Sequence, residues 1–375
     1  MKHPIKLFLL ILLLCGYAYG QENKIKKTFS YWFDFDPRIE KGEKKNINIL
    51  PLIVFTPEKG FGLGLKFAQE SFLKKKDIIK LTTIQTLKSK SEYRVIYKFP
   101  RNIFRKFTGE LEAGYENYDQ FYYGIGNNAE KSDETSYVPE LFEVKVPILY
   151  GLTQNISLGL SLNYHNWKIV EVGTDGILRR DFPNLIGKDG SKLYTTSFLA
   201  RWDTRDSNTD PSLGTLLEGT IEYSKKLLKS ETDFTRYTFK INKFYPVFGR
   251  TKPHVFAFSV TMDYKTGDVP FYLLPQLGGI FFNRGLTEGR FRDALALCGN
   301  WEYRFKIYER LHWAFFVDAG NVYSEFYRVN ASNIKITGGT GMRYYVPPGN
   351  LLLARVDAGY STEGLKVYLT FDHPF

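Results

Sequence analysis

The sequence predicts an all-β fold, a transmembrane antiparallel β-barrel of about 16 strands. Three observations support it. Apolar and polar residues alternate with a period of two in segment after segment. Beyond the N-terminal leader, no apolar run is long enough to cross a bilayer as a helix. Aromatic residues are abundant, with 31 Phe, 26 Tyr and 5 Trp making up 17% of the chain. A membrane barrel needs girdles of such residues where lipid meets water.

The chain opens like an export signal. Lys2 and Lys6 supply the positive start, Leu7 to Leu14 are apolar, and Ala18-Tyr19-Gly20 offers small residues at a cleavage site. Cys15 is preceded by Leu14, where a lipoprotein signal wants a small residue, so the pattern argues against lipid attachment. The expected organisation is a signal peptide over 1–20, a short periplasmic N-terminal segment over 21–47 and an outer-membrane barrel over 48–375. Removing the signal takes Cys15 and leaves Cys298 without a partner, so no disulfide braces the exported chain. The full chain carries a formal charge of +11, part of it from Lys2 and Lys6 in the signal. Export argues against nucleic acid as the partner of that charge. Outer-membrane lipid and lipopolysaccharide are the expected counterparts.

Candidate strands, with turn residues between them, fall at 48–57, 60–70, 77–88, 91–99, 104–116, 138–150, 155–169, 193–203, 214–226, 231–246, 252–266, 294–308, 311–324, 335–346, 350–360 and 363–375. An even number suits a closed bacterial barrel with both ends in the periplasm. In 294–308, Leu295, Leu297, Trp301, Tyr303, Phe305 and Ile307 are expected to face lipid, with Asn300, Glu302, Arg304 and Lys306 inside. In 311–324, Leu311, Trp313, Phe315 and Val317 form the oily face, with His312, Ala314, Phe316 and Asp318 opposite. A charge on the lipid face near the midplane would cost about 2–4 kcal/mol, which this pattern avoids. In 363–375, Leu365, Val367, Leu369, Phe371 and Phe375 share one face and the chain ends on an aromatic. That ending resembles the sorting signal of outer-membrane barrels. Short connections such as 308–310 and 347–350 are expected on the periplasmic side, and long ones at 117–137, 170–192 and 267–293 outside.

The last of these loops carries an unusual stretch, GGIFFNRGLTEGRFRD, at 278–293. An apolar run ends in Asn283-Arg284-Gly285, followed by Glu288, Arg290, Arg292 and Asp293. With YYGIGN at 122–127, the aspartate-rich turn DTRDSNTDPSLG at 203–214 and FVDAGNVY at 316–323, the block resembles the superfamily of BamA and the two-partner-secretion transporters, the bacterial surface antigen family. The resemblance covers essentially the whole chain after the signal. It implies a sixth outer loop folded into the lumen, with Arg284-Gly285 set against Asp318 on strand thirteen; Glu302 on strand twelve also points inward by its parity and is a second candidate acidic partner. It also implies a protein client or a periplasmic partner, and a role in insertion or translocation. Two departures stand out. Asn283 and Leu286 replace the usual aliphatic and aromatic neighbours, with Phe281 and Phe282 expected to supply the packing. The chain also has no room for the family's periplasmic POTRA domains.

Read without the family, an arginine fork fits a carboxylate through two parallel hydrogen bonds, and glycine beside it permits a sharp turn. The open alternative is a solvated Arg284, with Asp318 pairing Arg304 or Arg343. An enzyme is not expected. The histidines after the signal, His165, His254, His312 and His373, have no evident serine partner, and no nucleophile elbow, HExxH or phosphate loop occurs. Asp203, Asp206 and Asp210 suit Asx turns better than a metal site, and no cofactor is expected. A passive channel or a structural, surface-interaction barrel are the alternative functions.

Overall fold

The computed structural model describes residues 47–371, apart from 71, 74–76, 89, 105, 175, 208–209, 249–253, 309 and 347–351. The signal segment, the stretch up to Asn46 and Phe375 lie outside the described residues.

The wall runs β1 (Ile47–Thr56), β2 (Gly60–Glu70), β3 (Ile78–Thr86), β4 (Ser91–Phe104), β5 (Phe107–Asn117), β6 (Thr135–Gly151), β7 (Ile156–Val172), β8 (Gly190–Asp203), β9 (Gly214–Ser224), β10 (Phe234–Phe248), β11 (His254–Gly267), β12 (Leu295–Tyr308), β13 (Leu311–Tyr323), β14 (Lys335–Val346), β15 (Leu352–Ser361) and β16 (Gly364–Phe371). Each strand pairs antiparallel with the next, and β1 pairs with β16, so the sheet closes on itself. The sheet counts seventeen strands, one of them the short strip Gln120–Tyr122 lying on β6; setting it aside leaves a sixteen-stranded barrel.

Alternation assigns the faces. On β13, Phe315 and Val317 are exposed, whereas Ala314, Phe316 and Asp318 are buried. On β7, Leu158, Leu160 and Leu162 stand outside, and Ser161 and Asn163 hydrogen-bond on the other face. Outward apolar residues meet lipid and inward polar residues satisfy one another, which is the low-cost arrangement for a strand between hydrocarbon and a wet lumen. Leu295 departs from the expected pattern. It is fully buried at the outer rim, between Tyr264 and Tyr323 on the flanking strands. Pro139 is accommodated at a register shift in β6, where a missing N–H does least harm.

Long connections gather at one end. The loop 173–189 contains a short helix, α1 (Ile177–Asp181), whose Leu178 is fully buried. It packs with Tyr122, Tyr137, Phe271 and Tyr272 into an apolar roof. Below the roof lies a cavity of about 590 Å³ lined by inward side chains of β4 to β11, among them Glu143, Asn163, Thr195, Arg201, Arg236 and Lys265.

The closure is the weakest pairing. Among the described residues, β1 and β16 share one register pair, Phe55↔Leu369. By contrast β6 and β7 pair from Tyr137↔Val172 to Gly151↔Ser157. Unpaired edge amides open to solvent at low cost. Amide exchange in detergent should therefore be faster over Gly364–Phe371 than over Leu295–Tyr308, as read by mass spectrometry; equal protection would contradict a weak seam.

Candidate functional site

The loop 268–294 joins β11 to β12. Its first part forms a short ladder with its last, Gln276 with Arg292 and Leu277 with Phe291. Between them the chain turns back on itself, with a bridge from Gly279 to Asn283. That turn delivers Arg284 to the inner wall.

Arg284 is almost wholly buried, with only 1% of its surface exposed. Its Nε and Nη2 donate to the two Asp318 carboxylate oxygens at 2.8 and 2.7 Å, a forked contact. Its backbone N–H donates to Asp318 Oδ2 at 3.0 Å, and Nη1 donates to Glu302 Oε2 at 2.7 Å. The guanidinium lies 3.5 Å from the Phe316 ring centre, a cation–π contact that also shields it from water. Asp318 also accepts from Asn300 Nδ2 at 2.9 Å.

The network extends beyond the residues the sequence pointed to. Glu302 Oε1 accepts from Arg304 at 2.8 Å and from Arg343 at 2.9 Å. Arg343 also donates to Asp357 at 2.5 Å, and Arg284 and Arg355 reach Asp357 at 3.6 and 3.5 Å. Asp357 on β15 was not singled out in advance, and Arg343 on β14 was named only as an alternative partner of Asp318. Their inward parity was readable, but their meeting with β12 depends on barrel register.

The backbone around Arg284 is held as tightly. A Cβ on Gly285 would collide with Thr337 and Ser361, and one on Gly359 would strike the Arg284 carbonyl. Gly359 thus lies directly beneath the Arg284-Gly285 peptide. Ser361 Oγ donates to the Gly285 carbonyl at 2.8 Å and Tyr368 Oη to the Leu286 carbonyl at 3.0 Å. Asn283 is fully buried, with its amide donating to the Lys335 carbonyl at 3.1 Å and its oxygen accepting from Thr337. The polar neighbour thus has polar partners. Leu286 packs with Leu277, Phe291 and Val322, and Phe282 leans on that cluster, while Phe281 is exposed and does not supply the expected packing.

Two further arginines anchor the same loop. Arg292 donates to the Phe121 carbonyl at 2.5 Å and the Phe271 carbonyl at 3.3 Å. The Gly126 N–H donates to the Arg292 carbonyl at 2.8 Å. YYGIGN therefore cradles loop six, and Gly124 and Gly126 adopt positive φ to do so. Arg290 donates to Glu363 at 2.5 Å and lies over Tyr123. Their alternation in RFR was the available signal.

A backbone amide of loop six ties it to the β1–β2 turn. The Glu288 N–H donates to Glu58 Oε1 at 2.9 Å. Burial first, then the nearby Glu58 carboxylate, pushes the Glu288 carboxyl up to about 7, against the opposing pull of Lys59 and Arg292.

Elsewhere, Asp206 caps its turn by accepting from the Ser212 and Leu213 N–H groups. Asp203 clasps Arg205, and Tyr345 donates to Asp210 at 2.6 Å. Among the described residues no three His, Cys, Asp or Glu side chains gather as metal ligands. His165 lies by Glu143, His254 by Tyr303 and His312 by Tyr345. Phe371 ends the described part of β16, paired with Ala354.

A family model described as the Omp85 superfamily domain matches residues 62–360. The chain belongs to the Omp85 superfamily. It is accordingly a β-barrel protein of the bacterial outer membrane. Similar solved structures include BamA from Haemophilus ducreyi lacking POTRA domains 1–3, with a TM-score of 0.64 and 14% identity over 87% of this chain and 70% of that one. CdiB from Escherichia coli scores 0.66 at 10% identity, covering 87% of this chain and 62% of that one. CdiB from Acinetobacter baumannii scores 0.62 at 12% identity, covering 88% and 60%. At these identities the likeness is one of fold, and this Omp85 barrel spans less than two thirds of either CdiB chain. No curated protein matches it by sequence.

Two outcomes are expected of the site. Arg284→Ala strands buried carboxylates, a loss of about 3–5 kcal/mol, and should speed protease cleavage within 268–294 of the folded barrel. Arg284→Lys should fail to restore protection, because an ammonium lacks the fork; full rescue by lysine would contradict the geometry. For Glu288, a raised carboxyl value favours the protonated form in the folded state. Its stabilising contribution is full below about pH 4.5 and falls as pH rises through about 7. Loop six should be cleaved more slowly at about pH 5 than at about pH 8, and Glu288→Gln should remove its share of that difference.

Proposed function

We propose that this Omp85 barrel assists the insertion or translocation of proteins or lipids at the outer membrane, working at the seam between β1 and β16. The observation that carries the reading is the single register pair, Phe55↔Leu369, that closes the described barrel. A sheet edge joined so sparsely presents N–H and C=O groups to an incoming strand at little cost. Loop six is the complementary part: seated in the lumen by Arg284, it braces the wall from β12 to β16 while the seam remains the place where the wall yields. A protein client and a periplasmic partner follow from this role, as does a transport rather than a catalytic one. The apolar roof of Tyr122, Tyr137, Leu178, Phe271 and Tyr272 weighs against a standing aqueous channel.

The test compares outer-membrane protein and lipid composition in cells without this protein, with the wild type, and with Phe55→Cys combined with Leu369→Cys. A seam disulfide should deplete the same proteins or lipids as deletion, and reductant should restore them. Unaltered composition in deleted cells would overturn the assembly reading. In a planar bilayer the purified barrel should stay nearly silent; a steady large conductance would favour a pore.

A further inference from the structure

On the outer rim, the β9–β10 connection departs from the wall and is fastened back to it. β9 stops at Ser224, and the chain rejoins the sheet at Ser230. Ser224 Oγ donates to the Thr232 carbonyl at 2.8 Å, closing the neck. Ser230 Oγ accepts from the Tyr194 N–H and donates to the Tyr194 carbonyl, both at 2.7 Å. The Glu231 N–H then donates to the Lys192 carbonyl at 3.0 Å, continuing the ladder along β8. Residues 225–229 are therefore a pinned excursion from the wall. Their sequence is Lys-Lys-Leu-Leu-Lys, and all five are exposed, Leu227 at 93%.

The excursion has one side open to it. Behind the wall, Leu193, Phe234 and Val269 form a packed cluster with Trp167, Leu273 and Leu274. On the outward face just below stand Tyr164 and Tyr194, Phe198 and Tyr223, and Tyr237 and Tyr264, each pair in ring contact. Such a band marks where hydrocarbon gives way to headgroups. Leu227 and Leu228 thus sit at the top of the apolar layer, with three ammonium groups around them. Among the described residues Lys225, Lys226 and Lys229 form no ion pair. The nearby acids are occupied: Glu231 accepts from the Lys192 N–H at 3.0 Å and Asp233 from the Lys226 N–H at 2.6 Å. Lys192 adds a further exposed cation on the same rim.

We infer that residues 225–229 are a binding site for the phosphorylated glycolipid of the outer leaflet, with Lys225, Lys226 and Lys229 on its phosphates and Leu227 and Leu228 against its acyl chains. Charge complementarity and depth both point to that occupant. Cations at a membrane surface attract anionic headgroups, and paired apolar side chains among them hold the segment down.

The test uses the full-length barrel in detergent and measures uptake of bisphosphorylated lipid A, dephosphorylated lipid A and phosphatidylglycerol by native mass spectrometry. Bisphosphorylated lipid A should bind at least about tenfold better than the dephosphorylated form. Replacing the three lysines with Gln should erase that preference. Leu227→Ser with Leu228→Ser should weaken both glycolipids alike. All five positions are exposed, so a heat-modified gel shift should show folded barrels throughout. Undiminished preference in the lysine variant would overturn the site, as would phosphatidylglycerol competing equally.

Discussion

Arg284 reaches carboxylates on three strands, β12, β13 and β15, and this one side chain sets the interior on its side of the barrel. A guanidinium and three carboxylates removed from bulk water tolerate little misplacement, because each group left alone would keep its desolvation cost without compensation. That demand explains the surroundings. Gly285 and Gly359 lack side chains because the loop backbone passes too close for them. Ser361 and Tyr368 donate to carbonyls that would otherwise be buried without partners. Phe316 covers the cation, and Asn283 turns inward to bind β14.

The barrel was legible in the sequence because its physics is local. Alternation on β12 and β13 sorted residues by face without knowledge of their neighbours, and all sixteen wall strands could be placed within a few residues. The failures share another cause. Leu295 has the parity of a lipid-facing residue, but the rim around it is covered. Phe281 looked like packing and stands exposed. Arg284 and Asp318 could be matched through the resemblance, and Glu302 through parity. Asp357 could not, and Arg343 was named for Asp318 rather than for Glu302 and Asp357, because their meeting depends on how β12, β14 and β15 stagger around a closed sheet. Arg290 and Arg292 were visible as charges but not as anchors, since Tyr123 and Phe121 lie far away in sequence.

The interior is divided. From β12 to β16 the space is filled by loop six and the ion pairs it meets. From β4 to β11 it holds a polar cavity whose hydroxyls and amides bond to one another, as Asn163 does to Thr195 and Ser197. The outer end is closed by aromatic side chains from several loops.

Without the loop, the strand charges pair unevenly. Arg304 and Arg343 hold Glu302 and Asp357, whereas among the described residues Asp318 keeps Asn300 alone. A side chain delivered by a loop therefore completes the charge pairing of the wall itself, and a barrel whose loop is displaced carries an unmatched carboxylate on β13.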